Sequence, residues 1–293
     1  MRSIIIAILP IAAGAIRIVQ SNDDGWAEKN IRVFNEVLNA ASHSVVLSGP
    51  ADNQSGSSSS DKPPTPRIKP CEFNSCPANS GPVGADPNNS RLNYVNSYPV
   101  TAMKYGIATV SPRELGGAPE LAVTGPNVGT NIELQIPFSG TIGAAIEAVK
   151  QGIPAIAFSG STGHRTAFNA ATPLYSKIYA DLAMNLTDAV IASGAPYLPE
   201  NVFLNVNFPK VNKKCNDISD FKFVLSRINV GLVWNKDVVT CNNDGRLPRE
   251  KTVLDKGCFV SVSPGDAKDR TTVDARRQEI VLEKLKSLLT CLP

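Results

Sequence analysis

Along the first two thirds of the chain, short apolar runs alternate with stretches in which apolar residues recur every three or four positions. The apolar run at 16–20 predicts a strand, and Ile31, Phe34 and Leu38 predict a helix over 26–42. The same alternation predicts strands at 43–47, 120–123, 154–158 and 202–207, and helices at 99–107, 141–151 and 172–193. Strands that alternate with helices are typical of a doubly wound parallel sheet, so the pattern predicts an α/β fold.

Two regions depart from this alternation. Residues 51–97 are rich in Ser, Pro, Asn and Gly and predict one long loop, which begins where Gly49-Pro50 breaks the second strand. Beyond Cys215, the segments 221–228 and 258–262 predict strands with no helix between them. A final helix is predicted at 272–289, with Ile280, Leu282, Leu285 and Leu288 as its apolar positions. We therefore divide the mature chain, 16–293, into an α/β core at 16–209 and a C-terminal β/α extension at 210–293.

The N-terminus has the pattern of a secretory signal peptide, predicted to span residues 1–15. Arg2 supplies the positive charge, 4–12 supply a short apolar run, and Ala13-Gly14-Ala15 offers a small-residue cleavage site. The alternative is an uncleaved buried strand, because the apolar run continues directly into 16–20. Cleavage near Ala15 is favoured, which predicts a secreted protein.

Six cysteines agree with an oxidising destination. Cys71 and Cys76 are close in the predicted loop and are expected to form a disulfide, whereas the pairing of Cys215, Cys241, Cys258 and Cys291 stays open. Three N-x-[ST] sequons, at Asn53, Asn88 and Asn185, could carry glycans in a secreted chain.

Composition narrows the possible partners. With 42% hydrophobic and 19% charged residues, the chain can bury a sizeable core. A formal net charge of +3 without a basic block argues against a nucleic-acid polymer as partner. The apolar run near the N-terminus is too short to span a bilayer comfortably, so no membrane partner is expected.

Small polar residues follow several of the predicted strands. Asp23 and Asp24 come directly after the first strand, the segment 52–56 follows the second, and 124–131 includes Asn127 and follows the third. Parallel strands place their carboxyl ends at one edge, where ligands bind in such sheets. Carboxylate, amide and hydroxyl oxygens there would suit a hard cation. Ser139, Gly140 and Thr141 open a predicted helix, whose N-terminus could cradle phosphate.

Each of these positions also has an ordinary structural interpretation. Ser139 could be a simple N-cap, Asn127 could occupy a left-handed turn, and Ser55 could belong to a disordered serine run. A nucleophilic Ser-His-Asp site is a further alternative, because His43 and His164 are the two histidines. His43 begins a strand, where a structural role is expected, and the sequence around Ser159 is no nucleophile elbow.

The ordered motifs resemble the SurE (survival protein E) family of metal-dependent nucleotide phosphatases, in the form of a secreted fungal-type member. The matching segments are IRIVQSNDDGW, ADNQSG, YPVTAMKYGI, LAVTGPNVGTN, FSGTIGAAIEAVKQGIPAIAFS, VFLNVNFP and GCFVSVSP. The resemblance implies a three-layer α/β/α Rossmann-like domain, mostly parallel, whose C-terminal extension serves oligomer contacts in a homodimer or homotetramer.

The resemblance also implies a chemistry and the residues that perform it. A divalent cation, Mg²⁺ or Mn²⁺, is expected to be bound by Asp23, Asp24, Ser55 and Asn127. Phosphate contacts are expected from Asn131, Ser139, Gly140 and Thr141. The implied reaction is hydrolysis of phosphomonoesters, commonly nucleoside 5′-monophosphates and sometimes polyphosphate, with Asp23 or Asp24 activating water or attacking directly. A secreted protein that binds phosphate or nucleotides without turnover is the non-enzymatic alternative.

Overall fold

The computed structural model describes residues 15–229 and 236–293, and these residues form one nine-stranded sheet flanked by helices. The strands are β1 (Arg17–Ser21), β2 (Ser44–Pro50), β3 (Val83–Asp86), β4 (Asn89–Val95), β5 (Leu121–Val128), β6 (Ala155–Gly160), β7 (Val202–Phe208), β8 (Lys222–Leu225) and β9 (Phe259–Asp266). The helices are α1 (Lys29–Ala40), α2 (Pro99–Tyr105), α3 (Ser111–Leu115), α4 (Gly140–Lys150), α5 (Leu174–Ala192), α6 (Glu250–Asp255) and α7 (Ala275–Leu285). The α/β prediction is confirmed.

Strand order is β3-β4-β2-β1-β5-β6-β7-β9-β8. The six strands from β4 to β7 in that order are mutually parallel, while β3 and β9 run antiparallel to β4 and β7. Successive side chains of β1 point to opposite faces of the sheet and pack into two different cores. Ile18 packs with Phe34 of α1 and Leu182 of α5, whereas Val19 packs with Met103 of α2 and Ile142 of α4. The helices therefore cover both faces of the sheet in three layers.

The predicted loop at 51–97 is wrong in part, because it contains β3 and β4, an antiparallel hairpin that extends the sheet beyond β2. Serine and asparagine residues on its exposed positions hide the strand pattern, although Tyr94 and Val95 are buried. The predicted break at Gly49-Pro50 is also wrong. Pro50 is the last residue of β2, where the missing N–H costs little, and its carbonyl accepts from Trp26 N at 2.8 Å.

Two C-terminal predictions need correction. The six-residue helix α6 lies between β8 and β9, too short for its periodicity to be recognised in sequence. The final helix is shorter than predicted, since Asp274 caps its N-terminus by accepting from Arg277 N at 3.1 Å. Val281 and Leu285 face the core, whereas Ile280 is 40% exposed. Strands β8 and β9 join the same sheet as the α/β core.

Three disulfides connect the cysteines. Cys71–Cys76 confirms the expected local pair, and the remaining pairs are Cys215–Cys258 and Cys241–Cys291. The predicted signal peptide falls almost wholly on residues 1–14, which lie outside the described part of the chain. Among the residues that are described, no helix is both long enough and apolar enough to cross a membrane.

Candidate active site

The loops that follow β1, β2 and β5 meet at one edge of the sheet. Gln54 N donates to Asp23 O at 2.7 Å, which joins the loop after β2 to the loop after β1. Val128 N, at the end of β5, donates to Asp24 Oδ2 at 2.8 Å. These two hydrogen bonds bring together three segments that are far apart in sequence, as the parallel topology predicts.

Asp23 and Asp24 are both buried, with exposed fractions of 2% and 1%. Burial raises the pKa of Asp23, and burial together with the neighbouring Asp23 charge raises the pKa of Asp24 well above its usual value. Among the described residues, no lysine or arginine forms an ion pair with either carboxylate. Ionising both carboxyl groups is therefore costly at this edge, and a bound cation would offset that cost.

The N-terminus of α4 is directed at Asp23. Thr141 Oγ1 donates to Asp23 Oδ1 at 2.5 Å, and the backbone N–H groups of Gly140 and Thr141 also oppose the rise in the pKa of Asp23. A Cβ on Gly140 would lie 2.9 Å from Asp23 Cβ and 2.7 Å from Ser57 Oγ, so only glycine allows this approach. Gly140 and Thr141 thus contact the carboxylate itself.

Ser55 and Asn127 present oxygen atoms to the same edge. Ser55 donates from both N and Oγ to Asn53 Oδ1, at 3.0 and 2.7 Å, so its hydroxyl proton is engaged and its lone pairs stay available. Asn127 Nδ2 donates to Gly129 O at 2.7 Å, which leaves its Oδ1 as the available atom. Asn127 lies in β5 with negative φ, so its interpretation as a left-handed turn residue is wrong.

An open cleft of about 1030 Å³ lies at this edge, and Asp23, Ser55, Asn127, Asn131 and Ser139 all line it. Asp24, Gly140 and Thr141 do not reach its wall and lie behind it. Ser139 caps α4 by accepting from Ile142 N at 3.2 Å, as its structural interpretation predicts, and it also borders the cleft. The lining also includes Lys210 and Lys251, and Lys251 forms an ion pair at 2.8 Å with Asp255, which lines the cleft as well.

Asn131 is fixed by a buried polar network that the sequence motifs did not reveal. Asn131 N donates to Asn207 Oδ1 at 2.8 Å, and Asn131 Nδ2 donates to Ser159 Oγ at 2.7 Å. Asn205 Nδ2 donates both to Asn131 O at 2.8 Å and to Glu250 Oε1 at 2.7 Å. The sequence does contain one sign of this network, which is the pair of asparagines, Asn205 and Asn207, inside the otherwise apolar strand β7.

Neither histidine belongs to this cleft. His43 is 5% exposed and its Nδ1 accepts from Ile16 N at 3.4 Å, in line with the expected structural role. His164 lies in the exposed loop after β6, where its ring contacts Tyr175. Among the residues lining the cleft, no histidine is found, so the Ser-His-Asp alternative has no general base there.

The donor set of this edge fits a hard divalent cation. In the part of the chain that is described, no group of three His, Cys, Asp or Glu side chains could hold a metal. A cation would therefore depend on two carboxylates with neutral amide and hydroxyl oxygens, a set suited to Mg²⁺ or Mn²⁺ and unsuited to soft metals.

Comparison with known proteins places the chain in a family. The family model described as Survival protein SurE matches residues 18–231. An acid phosphatase from Yarrowia lipolytica is 31% identical over 280 residues, which cover 84% of this chain and 78% of that protein. The chain belongs to the SurE family. SurE proteins are in general dependent on a divalent metal.

Bacterial SurE relatives named 5′-nucleotidase SurE match less of the chain. The protein from Caldanaerobacter subterraneus is 30% identical over 210 residues, with 70% of each chain covered. The protein from Parvibaculum lavamentivorans is 29% identical over 197 residues, which span 67% of this chain and 62% of that relative. The crystal structure of a SurE protein from Aquifex aeolicus superposes with a TM-score of 0.59 at 22% identity, covering 93% of this chain and 99% of that one. This likeness supports the fold.

Proposed function

We propose that this SurE chain is a metal-dependent phosphomonoester hydrolase that acts on nucleoside 5′-monophosphates or related phosphomonoesters. The observation that carries the proposal is the buried pair Asp23 and Asp24, which has no ion-pair partner among the described residues and lies at the edge of an open cleft of about 1030 Å³. The SurE relatives named 5′-nucleotidase and acid phosphatase support the reaction class.

In this proposal Asp23, Asp24, Ser55 and Asn127 hold one Mg²⁺ or Mn²⁺ ion. When bound, such an ion neutralises phosphate charge and lowers the pKa of water. The two carboxylates have distinct positions, because Asp23 lines the cleft while Asp24 Oδ2 accepts from Val128 N. Asp23 is therefore the carboxylate placed to orient the attacking water and accept its proton, and Asp24 would be a further ligand of the ion.

Ser139 and Asn131 are the proposed phosphate contacts on the cleft wall. Ser139 Oγ already accepts from Ile142 N, so its own proton is available to donate to a phosphoryl oxygen. Asn131 is held in place by Ser159 and Asn207, which fixes the geometry of its contact. Gly140 and Thr141 contribute through the N-terminus of α4 and through Asp23, which they contact directly.

The cleft also has an apolar wall next to Ser139 that suits the organic part of a substrate. Leu134 and Phe138 line it with exposed fractions of 86% and 65%, so both present apolar surface to the cleft. An aromatic ring beside the phosphate contact can stack with a nucleobase, which is worth about 1–3 kcal/mol in proteins that bind single-stranded nucleic acid. This wall supports a nucleoside monophosphate as substrate.

Phe138→Ala is expected to lower kcat/KM for nucleoside 5′-monophosphates by about 5- to 150-fold, mainly through KM, because a stacking surface is lost. Hydrolysis of β-glycerophosphate, which lacks a ring, should change little. Ile68→Ala is the matched control, since Ile68 is 83% exposed outside the cleft. Equal losses on both substrates would contradict a stacking role for Phe138.

A panel of substrates tests the proposed function. We expect the purified protein with Mn²⁺ or Mg²⁺ to release phosphate from nucleoside 5′-monophosphates and from p-nitrophenyl phosphate. The acid phosphatase relative favours a second candidate, a broad acid phosphatase, which faster turnover of simple esters would indicate. Faster turnover of polyphosphate would instead indicate an exopolyphosphatase. Folded protein that binds nucleotides but releases no phosphate would instead identify the non-catalytic binding protein.

We further propose that the protein is secreted and forms a homodimer or homotetramer through its C-terminal extension at 210–293. Three disulfides support an oxidising destination. Small phosphate esters are the proposed substrates, and neither a nucleic-acid polymer nor a membrane is a proposed partner. Intact-mass analysis of secreted protein tests whether the chain is cleaved near Ala15 and whether the sequons carry glycans. Light scattering tests the oligomeric state.

A further inference from the structure

A small disulfide-closed loop lies beside the SurE carboxylate pair. Cys71 and Cys76 are joined by a disulfide, and both are buried with Trp26, Ala51 and Tyr94 in a small core of their own. Trp26 follows the SNDDG segment directly, and Ala51 directly precedes the segment that carries Ser55. The loop is therefore anchored to the same two elements that supply the proposed metal ligands.

Glu72 of this loop reaches both of those elements. Its Oε2 accepts from Asn53 N at 2.7 Å, and its own backbone N donates to Asp52 Oδ1 at 2.9 Å and to Ala51 O at 3.1 Å. A Cβ on Gly25 would lie 3.1 Å from Glu72 Oε2, and Gly25 has φ +108°. Glycine at that position lets the carboxylate lie directly against the turn that follows Asp24.

The contact with Asn53 is transmitted to Ser55. Asn53 Oδ1 accepts from both the backbone N and the hydroxyl of Ser55, at 3.0 and 2.7 Å. The carboxylate of Glu72 thus fixes the backbone of Asn53, and the side chain of Asn53 fixes the hydroxyl of Ser55. The orientation of the Ser55 lone pairs toward the cleft depends on this chain of hydrogen bonds.

The other oxygen of Glu72 holds a positive charge near the site. Glu72 Oε1 forms an ion pair with Arg165, whose guanidinium also contacts the Phe73 ring at 5.9 Å. The Glu72 side chain is only 10% exposed, so this pairing occurs in a partly desolvated setting. The ion pair with Arg165 holds the second carboxylate oxygen of Glu72, so both oxygens of this carboxylate are engaged.

We propose that Glu72 is a positioning residue for the divalent-metal site, because it fixes the Asn53–Ser55 hydrogen bonds. Glu72 contacts no reacting atom in this account. The inference rests on the proposed function, since it concerns the same cation. The disulfide Cys71–Cys76 supports this role because it closes the loop that carries Glu72.

Titration of the metal-free protein with Mn²⁺ in a calorimeter tests the proposal directly. Glu72→Ala is expected to weaken Mn²⁺ binding by about 10- to 100-fold, the usual cost of losing an outer partner of a metal ligand. Glu72→Gln keeps an oxygen acceptor for Asn53 N and is expected to recover most of that loss. In activity assays the Mn²⁺ concentration for half activation should rise, while kcat at saturating Mn²⁺ stays close to the parent value.

Glu114→Ala is the matched control. Glu114 also pairs with an arginine, Arg113, and accepts from Ser90 Oγ at 2.5 Å, but it does not line the cleft. Parent-like Mn²⁺ affinity in folded Glu72→Ala, or equal losses in Glu72→Gln and Glu72→Ala, would overturn this inference alone. Parent protein that binds no divalent cation and releases no phosphate would overturn the proposed function, and this inference with it.

Discussion

Asp24→Asn is expected to lower kcat/KM for phosphomonoesters by about 10³-fold or more, because metal assistance is worth several kcal/mol of transition-state stabilisation. Asparagine keeps an oxygen that can accept from Val128 N, the contact that Asp24 Oδ2 makes at 2.8 Å. It removes the negative charge that the proposed cation requires. The local fold should therefore survive while the cation is lost.

The same substitution is expected to raise the melting temperature of the metal-free protein. Burial and the Asp23 charge raise the pKa of Asp24 well above its usual value, so this carboxyl group lowers the stability of the native state at pH values above its ordinary pKa. A neutral asparagine removes that cost. A loss of activity with a gain in metal-free stability would separate a functional carboxylate from a structural one.

Scanning calorimetry and steady-state kinetics on the same preparations check both expectations. Asp188→Asn is the control, since Asp188 is about half exposed on α5 and lies near His43 rather than in the cleft. Near-parent activity in Asp24→Asn would remove Asp24 from the proposed metal site. Reduced activity with reduced metal-free stability would show that the carboxylate mainly supports the fold.

Glu250→Gln is expected to raise the free energy of unfolding relative to the parent. The difference should grow with pH, to a maximum of about 5 kcal/mol. Complete burial raises the pKa of Glu250 from the ordinary 4.5 to about 8, with a smaller contribution from the nearby Glu133 charge. The native state thus holds a proton that the unfolded chain loses above about pH 4.5. Because the unfolded state binds fewer protons between pH 4.5 and 8, parent stability should fall as pH rises through that window.

The glutamine variant isolates this effect because it cannot ionise. Its side-chain oxygen can still accept from Asn205 Nδ2, the contact that Glu250 makes at 2.7 Å. Relative to the parent, the free energy of unfolding of Glu250→Gln should rise progressively from pH 5 to pH 8, as measured by urea denaturation. Glu279→Gln, on the exposed face of α7, is the control. Parallel pH curves for parent and Glu250→Gln would contradict the assignment of a buried proton to Glu250.

Sequence patterns could predict the central sheet because each of its strands is a dense apolar run. β6 and β7 are buried at every position, so a short apolar run bounded by Gly or Pro is a sufficient signal. The edge hairpin could not be predicted in the same way. β3 and the first half of β4 are exposed or half-buried, and their polar residues resemble those of a loop.

The sequence could likewise predict one part of the candidate site and not the other. Asp23, Ser55, Asn127, Asn131 and Ser139 follow strands or open a helix, so their convergence on one cleft could be expected from topology. The hydrogen-bond network behind these residues could not be predicted from the sequence. Thr141 was expected at phosphate, whereas its hydroxyl lies against Asp23, a distinction that depends on how closely α4 approaches β1. Glu72 and Glu250 lie outside the motifs, 19 and 45 residues from Asn53 and Asn205, and only the folded chain brings them together.

Removal and return of the metal test the central claim most directly. Phosphate release from a nucleoside 5′-monophosphate should be measured on purified protein with Mn²⁺, after EDTA treatment, and after Mn²⁺ is added back. Activity that disappears with EDTA and returns with Mn²⁺, but not with Mn²⁺ in Asp24→Asn, is the result we predict. Activity that persists in metal-free protein would contradict the account, because the paired aspartates would then act without a cation.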